Sequence, residues 1–171
     1  ATPEQRRALL DPAHAATRGR KIQISAKIKH ALTVERNLLQ ASPVELELAA
    51  RFQEHGFNIT PQKAVYIYNL DIAINVPPIA IEIYGGRFHS TGIHLIRHFK
   101  RTKYLLDHNW TVVIIWIDAR RYPLSTACDD YIIGLANELS RQPAARRQYR
   151  VILGNGQSAP IRKNYLNTPP D

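Results

Sequence analysis

Two acidic residues stand in short stretches of alternating apolar side chains, where an uncompensated carboxylate is costly. Asp71 lies in the run LDIAINV (70–76), and Glu82 lies in the stretch IAIEIYGGRFH (79–89). In each stretch the acid shares its face with small residues, and isoleucines occupy the other face. Two carboxylates in one site repel each other unless a positive charge lies between them. Mg²⁺ or Mn²⁺ prefers oxygen ligands and accepts phosphate oxygens, so the pair predicts a divalent-metal site acting on a phosphodiester.

The two stretches flank Pro77-Pro78, which predicts a β-hairpin with a two-residue turn. A turn of that length pairs Val76 with Ile79, and Asp71 then lies diagonal to Glu82 on the same face of the sheet. The alternative is that both acids lie incidentally on a strand that faces solvent.

A third acid is predicted to point toward the protein interior from a helix. The segment SPVELELAARFQEHG (42–56) predicts a helix with Ser42 as its N-cap and a glycine as its stop signal. At 100° per residue, Glu45 falls in the middle of the apolar arc, whereas Glu47 falls on the charged side. The apolar arc consists of Val44, Leu48, Ala49 and Phe52. Glu45 is therefore a candidate metal-linked acid, or alternatively a cap that favours the helix dipole.

Histidines and arginines follow the second acidic stretch. His89 comes after two glycines and could act as a base or as a phosphate contact, the alternative being a structural or surface histidine. The segment GIHLIRHFKRTKYLLDHNW (92–110) predicts a helix in which His94, Arg97, His98 and Arg101 share one face. A histidine pair four residues apart could bind zinc. Because no cysteine or glutamate is placed to complete such a site, phosphate contact is the favoured interpretation.

The positive charge of the chain is concentrated at its ends. The net charge is +9: residues 1–40 hold eight Lys/Arg against three acids, residues 141–171 hold six against one, and residues 41–140 hold nine against ten. Basic ends suit DNA, since phosphate contacts supply most non-specific nucleic-acid affinity. Arg20, Lys21 and Lys27 are the candidate contacts at the N-terminal end. The alternative is that these charges only keep flexible ends in solution.

The amino-acid composition limits the classes of protein to which this chain could belong. The single cysteine, Cys128, excludes an internal disulfide and a cysteine zinc cluster, and it fits a reducing cytoplasm. No apolar run approaches the ~20 residues of a membrane helix, and the first residues are too polar for a signal peptide. We therefore expect a cytoplasmic protein with no membrane partner.

The remaining patterns predict an α/β fold. The run TVVIIWID (111–118) is typical of a strand buried on both faces, STACDDYIIGLANELSRQP (125–143) predicts an amphipathic helix, and RQYRVIL (147–153) predicts a last strand. The predicted order is helix, strand, strand, helix, buried strand, helix, strand. We expect a basic N-terminal helical arm (1–40) with a possible DNA-binding role, a core domain (41–153) and a basic tail (154–171).

This ordered set of segments resembles the PD-(D/E)XK nuclease fold, and more narrowly the endonucleases similar to very-short-patch repair enzymes and their homing-endonuclease relatives. The segments that carry the resemblance are SPVEL, TPQ, YNLDIAI, IAIEIYGGRFH, RHFKRTKYLLDHNW and TVVIIWID, within residues 42–118. The resemblance implies a mixed central sheet flanked by helices, with Glu45, Asp71 and Glu82 around a Mg²⁺ or Mn²⁺ ion. It also implies a metal-dependent DNA endonuclease of a bacterial or phage type.

Two residues depart from the wider family. The position two residues after Glu82, usually lysine, is Tyr84, while His89 matches in spacing a downstream histidine that acts as the base in the short-patch-repair branch. Tyr84 could instead position a phosphate, or the chain could be a non-catalytic nucleic-acid-binding protein that keeps the nuclease fold. The predicted catalytic residues are Asp71, Glu82, His89, Glu45 and Tyr84, and the predicted DNA contacts are Arg97, Arg101, His98, His94, Lys21, Arg20 and Lys27.

Overall fold

The computed structural model describes residues 21–85 and 92–161, together with residues 2, 4 and 19. Arg20, Gly86 and His89 lie outside these residues. Within the described ranges no helix is long and apolar enough to cross a membrane.

The sheet has five strands and is flanked by helices, which confirms the predicted α/β class with a mixed central sheet. The elements in chain order are α1 (Ile24–Asn37), α2 (Pro43–Glu54), β1 (Ile59–Val65), β2 (Tyr68–Ile74), β3 (Ile79–Gly85), α3 (Gly92–Asp107), β4 (Thr111–Ile117), α4 (Thr126–Arg141), a 3-10 helix (Pro143–Ala145) and β5 (Tyr149–Leu153). The strands lie in the order β1-β2-β3-β4-β5. β1, β2 and β3 are antiparallel neighbours, whereas β3, β4 and β5 run parallel.

α2 begins and ends where its sequence predicts. The Ser42 hydroxyl accepts the Glu45 N–H at 3.3 Å, and Pro43 occupies the first helical position, where its missing N–H costs nothing. Gly56, just past the C-cap, has φ 84°, a left-handed conformation that glycine adopts without strain. Local capping chemistry therefore fixes both ends of the helix that carries Glu45.

α1 lies within the segment predicted to be a basic arm, and one side of it packs on the edge of the sheet. It begins at Ile24, and Gln23 is its N-cap. Its buried residues are Ala31 and Val34. The Glu35 carboxylate accepts the Ala64 N–H of β1 at 2.7 Å. α1 thus connects the basic N-terminal segment to the sheet.

β1 is missing from the predicted order, which counted only two strands before α3. Its sequence, ITPQKAV, contains a proline and mixes polar with apolar residues, so it lacks the alternation that identifies β2 and β3. β1 pairs only with β2 and forms an edge of the sheet. Pro61 is tolerated there because an edge strand need not donate every N–H to a neighbour.

The β2–β3 hairpin differs from the predicted register by two residues. Ile74, not Val76, pairs with Ile79, and residues 75–78 form the turn. The two prolines of that turn have no N–H to donate to a ladder, so pairing stops before them. A shift by an even number of residues leaves the side chains on their predicted faces. The observed register therefore changes which residues lie opposite Asp71 and Glu82, but it does not move either side chain to the other face of the sheet.

Apolar side chains cover both faces of the sheet. One cluster joins α2 and α4 to Ile72, Ile74, Ile79 and Ile81. The other joins Leu105 of α3 to Leu70, Ala73, Ala80, Tyr84, Ile114 and Trp116. Two predictions were wrong: Leu70 lies with the α3-side cluster and not with the isoleucines, and Val44 is exposed rather than part of the buried arc of α2. β4 is buried on both faces along almost its whole length, as predicted.

Candidate active site

Glu82 is a buried glutamate on β3, between Ala80 and Tyr84 on the face that α3 covers. Its side chain is 2% exposed, and Oε2 lies 2.6 Å from Nη2 of Arg101 on α3. The other oxygen, Oε1, is buried and has no hydrogen-bond partner in the part of the chain that the structure describes. A buried carboxylate oxygen without a partner has lost its hydration without compensation. This oxygen is therefore available to a cation or to a hydrogen-bond donor.

Asp71 lies at a break in the regular pairing of β2. The β2–β3 ladder ends at Ile72, and beyond it Oδ2 of Asp71 accepts the Ile83 N–H at 2.8 Å. On the other side, the β1–β2 ladder is interrupted at Gln62, whose φ of 50° is left-handed. A non-glycine residue in that conformation is strained. The break turns the Asp71 carboxylate toward β3, on which Glu82 also lies.

Glu45 is held by two side chains. Its Oε1 accepts the Ser42 hydroxyl at 2.8 Å, and its Oε2 accepts Nε2 of Gln62 at 2.8 Å. Ser42 and Glu45 form the serine-x-x-glutamate pair that stabilises helix N-termini, so the capping alternative holds in the structure. The bond to Gln62 in addition directs the carboxylate toward the break beside Asp71. Glu47, by contrast, is 68% exposed and pairs with Arg51, as its position on the helix predicts.

The charges of these acids act on one another. Burial, the largest effect, and the charge of Glu45 raise the pKa of Asp71 to about 6, against the opposing effects of the Ile83 N–H and Arg101. Burial likewise raises the pKa of Glu82 well above its ordinary value, and the charges of Asp71 and Glu45 add to the increase, whereas Arg101 lowers it. Asp71 and Glu82 thus share one arginine, and Glu45 adds a further negative charge nearby, so the group carries a net charge of −2 when all are ionised.

Arg101 joins the acids to a buried polar network. Its Nη2 donates to the Tyr84 hydroxyl at 3.0 Å, and that hydroxyl lies 2.8 Å from Nδ1 of His98. Nε2 of His98 is 3.3 Å from the Tyr149 hydroxyl. His98 is 4% exposed, and Tyr84 is also buried. The structure thus encloses in this network both His98, which was predicted to contact DNA, and Tyr84, which was predicted to position a phosphate.

The other predicted residues lie in different surroundings. Arg97 is exposed on α3, and His94 is partly buried on the same helix. Lys21 and Lys27 are exposed at the start of α1. Arg20 and His89 lie outside the described residues, so the structure does not place the predicted base relative to the acids.

Asp71 and Glu82 would have to hold a hard divalent cation as a pair rather than as a closed cage. In the described ranges no group of three or more His, Cys, Asp or Glu side chains is placed to share one ion. Mg²⁺, however, is commonly held by one or two carboxylates and completes its shell with waters and substrate phosphate. The candidates for such a pair are the buried Oε1 of Glu82, which has no partner in the described chain, and the carboxylate of Asp71, whose charge acts on Glu82. A cation there would also relieve the excess negative charge.

Gln62 and Asn69 belong to the site, and sequence reasoning did not identify them. Asn69 Nδ2 donates to the Gln62 carbonyl at 2.8 Å and to the Ala31 carbonyl at 2.9 Å. It thereby holds the strained backbone of Gln62, which in turn orients Glu45. In the sequence these two residues are marked only by their polarity. Gln62 is nevertheless buried, at 2% exposure, in a strand whose sequence has no apolar alternation.

No family model, no curated protein and no solved structure matches this chain. The α/β architecture with its mixed sheet is a finding of the structure. The likeness to PD-(D/E)XK nucleases stays a prediction from residues 42–118.

Proposed function

We propose that this protein is a metal-dependent DNA endonuclease that hydrolyses phosphodiester bonds, with a PD-(D/E)XK-like core similar to that of very-short-patch repair enzymes. The observation that carries the proposal is the buried Oε1 of Glu82, which has no partner in the described chain although two further carboxylates lie nearby. A purely structural glutamate would be expected to satisfy both oxygens or to be replaced by an apolar residue.

Each acid has a separate task in this proposal. Asp71 and Glu82 hold the metal ion, which supplies Lewis-acid polarisation of the phosphate and a more acidic water when bound. Glu45 sets the local field and, through Gln62, the orientation of the break beside Asp71. Arg101 limits the negative charge while the site is free of metal, because it pairs with Glu82 at 2.6 Å. Its 22% exposed side chain can also reach a phosphate oxygen.

The basic surface provides the binding of DNA. Lys27 is exposed on α1, and Lys21 is exposed just before that helix. Arg97 is exposed on α3, the helix that also carries Arg101. Contacts of this kind set affinity without reading sequence. His89, by its spacing after Glu82, is the proposed base that takes a proton from the attacking water.

Nicking of supercoiled plasmid with and without Mg²⁺ tests the proposal. We expect Mg²⁺-dependent conversion to open-circular or linear DNA, and loss of that conversion in Asp71→Asn and Glu82→Gln. Glu47→Gln is the matched control, because Glu47 is an exposed acid on the helix that carries Glu45. Cleavage by either site variant at the rate of Glu47→Gln would show that the carboxylates are not the catalytic acids.

A non-catalytic nucleic-acid-binding protein is the second candidate, and the Glu82–Arg101 pair favours it. This ion pair neutralises Glu82 without a metal, and Tyr84 replaces the lysine that the resemblance implies. Calorimetric titration with Mn²⁺ separates the two functions. A nuclease gives a binding heat that Asp71→Asn removes, whereas a binding protein gives no such heat and still retains DNA on a gel.

A further inference from the structure

Three aromatic rings form a stack on the surface between the β1–β2 turn and α3. The rings of Tyr66 and Tyr104 have centroids 5.1 Å apart and an interplanar angle of 17°. The rings of Tyr104 and His108 are 3.9 Å apart at 22°. Tyr68 packs against Tyr104 at a steeper angle, with centroids 5.5 Å apart. We refer to Tyr66, Tyr104 and His108 as the aromatic ladder.

The ladder is held rigidly and is open to solvent. Tyr66 has φ 59°, a left-handed conformation that is uncommon for a tyrosine and that places its ring over Tyr104. His108 Nδ1 donates to the Tyr104 carbonyl at 2.7 Å, which fixes the third ring. Tyr66 is 39% exposed although Tyr104 covers one face of its ring, and His108 is exposed as well. Rings that served only to fill a core would be covered on both sides.

The ladder adjoins the acidic site through Arg101. Tyr104 lies one helical turn after Arg101 on α3, so the two side chains share a side of the helix. Arg101 Nη1 also donates to the Asn69 carbonyl at 3.3 Å, next to Tyr68. α3 carries four Lys/Arg, at positions 97, 100, 101 and 103, of which Arg101 pairs with Glu82 and Lys103 with Asp107, so Arg97 and Lys100 are the exposed cations of this helix that have no ion pair among the described residues.

We propose that the aromatic ladder is a stacking site for an unpaired nucleobase, and that the DNA acted on by the acidic site contains a single-stranded or unpaired segment. The inference rests on the proposed nuclease function, because it takes the acidic site as the place where the backbone of that segment is cut. Flat exposed rings beside cationic side chains are the usual platform for unpaired bases, which present a free π-face. In an intact duplex the bases cover one another, and the backbone alone meets such a surface.

The test measures stacking directly, in the absence of divalent metal so that no strand is cut. The probe is a 12-nucleotide thymidine strand with one central 2-aminopurine, used alone and annealed to its complement. We expect the single strand to bind more tightly than the duplex and to lose fluorescence on binding. Tyr66→Asn keeps a residue that tolerates the left-handed backbone but removes the ring, and it should weaken strand binding roughly 5- to 150-fold. Tyr66→Phe, which keeps the ring, should bind like the original chain.

Tyr131→Leu is the control for the loss of an aromatic ring, since Tyr131 packs on the α2 and α4 side of the sheet. Equal affinity for strand and duplex, or equal strand affinity of Tyr66→Asn and Tyr66→Phe, would overturn the stacking site. The two proposals can fail separately. If the plasmid is nicked but the probe shows no stacking, the nuclease function stands and the stacking site is wrong. If the probe stacks but the plasmid is not nicked, the stacking site stands and the nuclease function is wrong.

Discussion

Replacing Asp71 by asparagine should make the protein more stable at neutral pH while it removes metal binding. Asparagine has the shape of aspartate, and its carbonyl can still accept the Ile83 N–H that Oδ2 accepts at 2.8 Å. The substitution removes a negative charge that burial and the charge of Glu45 disfavour. The pKa of Asp71 is raised from 3.8 to about 6, chiefly by burial. Since each pKa unit is worth about 1.4 kcal/mol, the ionised carboxylate costs the fold about 3 kcal/mol.

The sign of the pH dependence follows from proton binding. Between pH 3.8 and about 6 the folded state binds a proton at Asp71 that the unfolded state releases. The original chain therefore loses stability as pH rises through this window, and the asparagine variant does not. The two proteins should melt together near pH 3.5. At pH 7.5 the variant should melt roughly 6–12 °C higher, given about 2–4 °C per kcal/mol for a chain of this size.

Thermal melts from pH 3.5 to 8, with and without Mg²⁺, measure both effects. Added Mg²⁺ should raise the melting temperature of the original chain at pH 7.5 and leave that of the variant unchanged. Asp118→Asn is a control of opposite sign, because the N–H groups of Arg121 and Arg120 lower the pKa of Asp118, so its replacement should destabilise at neutral pH. An Asp71→Asn protein that melts below the original chain by the same amount at every pH would refute the reasoning.

Three further predictions concern the residues around the acids. Arg101→Met removes the cation that lowers the pKa of Glu82. The loss of stability on raising the pH should therefore extend above pH 6. Melting temperatures identical to those of the original chain from pH 5 to 9 would contradict this. Tyr84→Phe removes the hydroxyl that accepts from Arg101 at 3.0 Å, which should cost about 1–3 kcal/mol in urea unfolding, and a cost below 0.5 kcal/mol would show that the network is not coupled. Arg51→Met leaves the buried Asp129 without its partner and should lower the free energy of unfolding by about 3–5 kcal/mol; a value near that of Glu47→Gln would show that the pair contributes nothing.

Elements with strong periodicity or capping were predictable from the sequence. α2, β4, α4 and β5 follow from capping residues, a continuous apolar run and helical spacing. The faces of β3 and of residues 72–74 of β2 also followed, since alternation determines faces independently of register. The register itself did not, because it depends on how many residues the turn takes up, and two prolines prevent pairing across four positions.

The parts of the site that depend on irregular backbone could not be predicted. The break at Gln62 and Asp71 arises from a left-handed residue in an edge strand, and nothing in the letters ITPQKAV signals it. That break also explains why Leu70 lies on the opposite face from the one that alternation predicts. α3 was correctly predicted as a helix. His98 and Arg101, however, lie on its face toward the sheet, whereas their spacing had been interpreted as a DNA-contacting face.

Two buried acids of this chain, Glu82 and Asp129, are partnered differently. Asp129 on α4 is also buried, at 5% exposure, and it too pairs with one arginine. There, however, Arg51 contacts both oxygens, Nε lying 2.9 Å from Oδ2 and Nη2 3.2 Å from Oδ1. Both oxygens of Asp129 thus lie within ion-pair distance of one guanidinium, and Nη2 donates a hydrogen bond to Oδ1. Glu82 has a single arginine contact and keeps its second oxygen bare beside two more carboxylates. In the proposed function, this second oxygen of Glu82 is the one that a bound cation would contact.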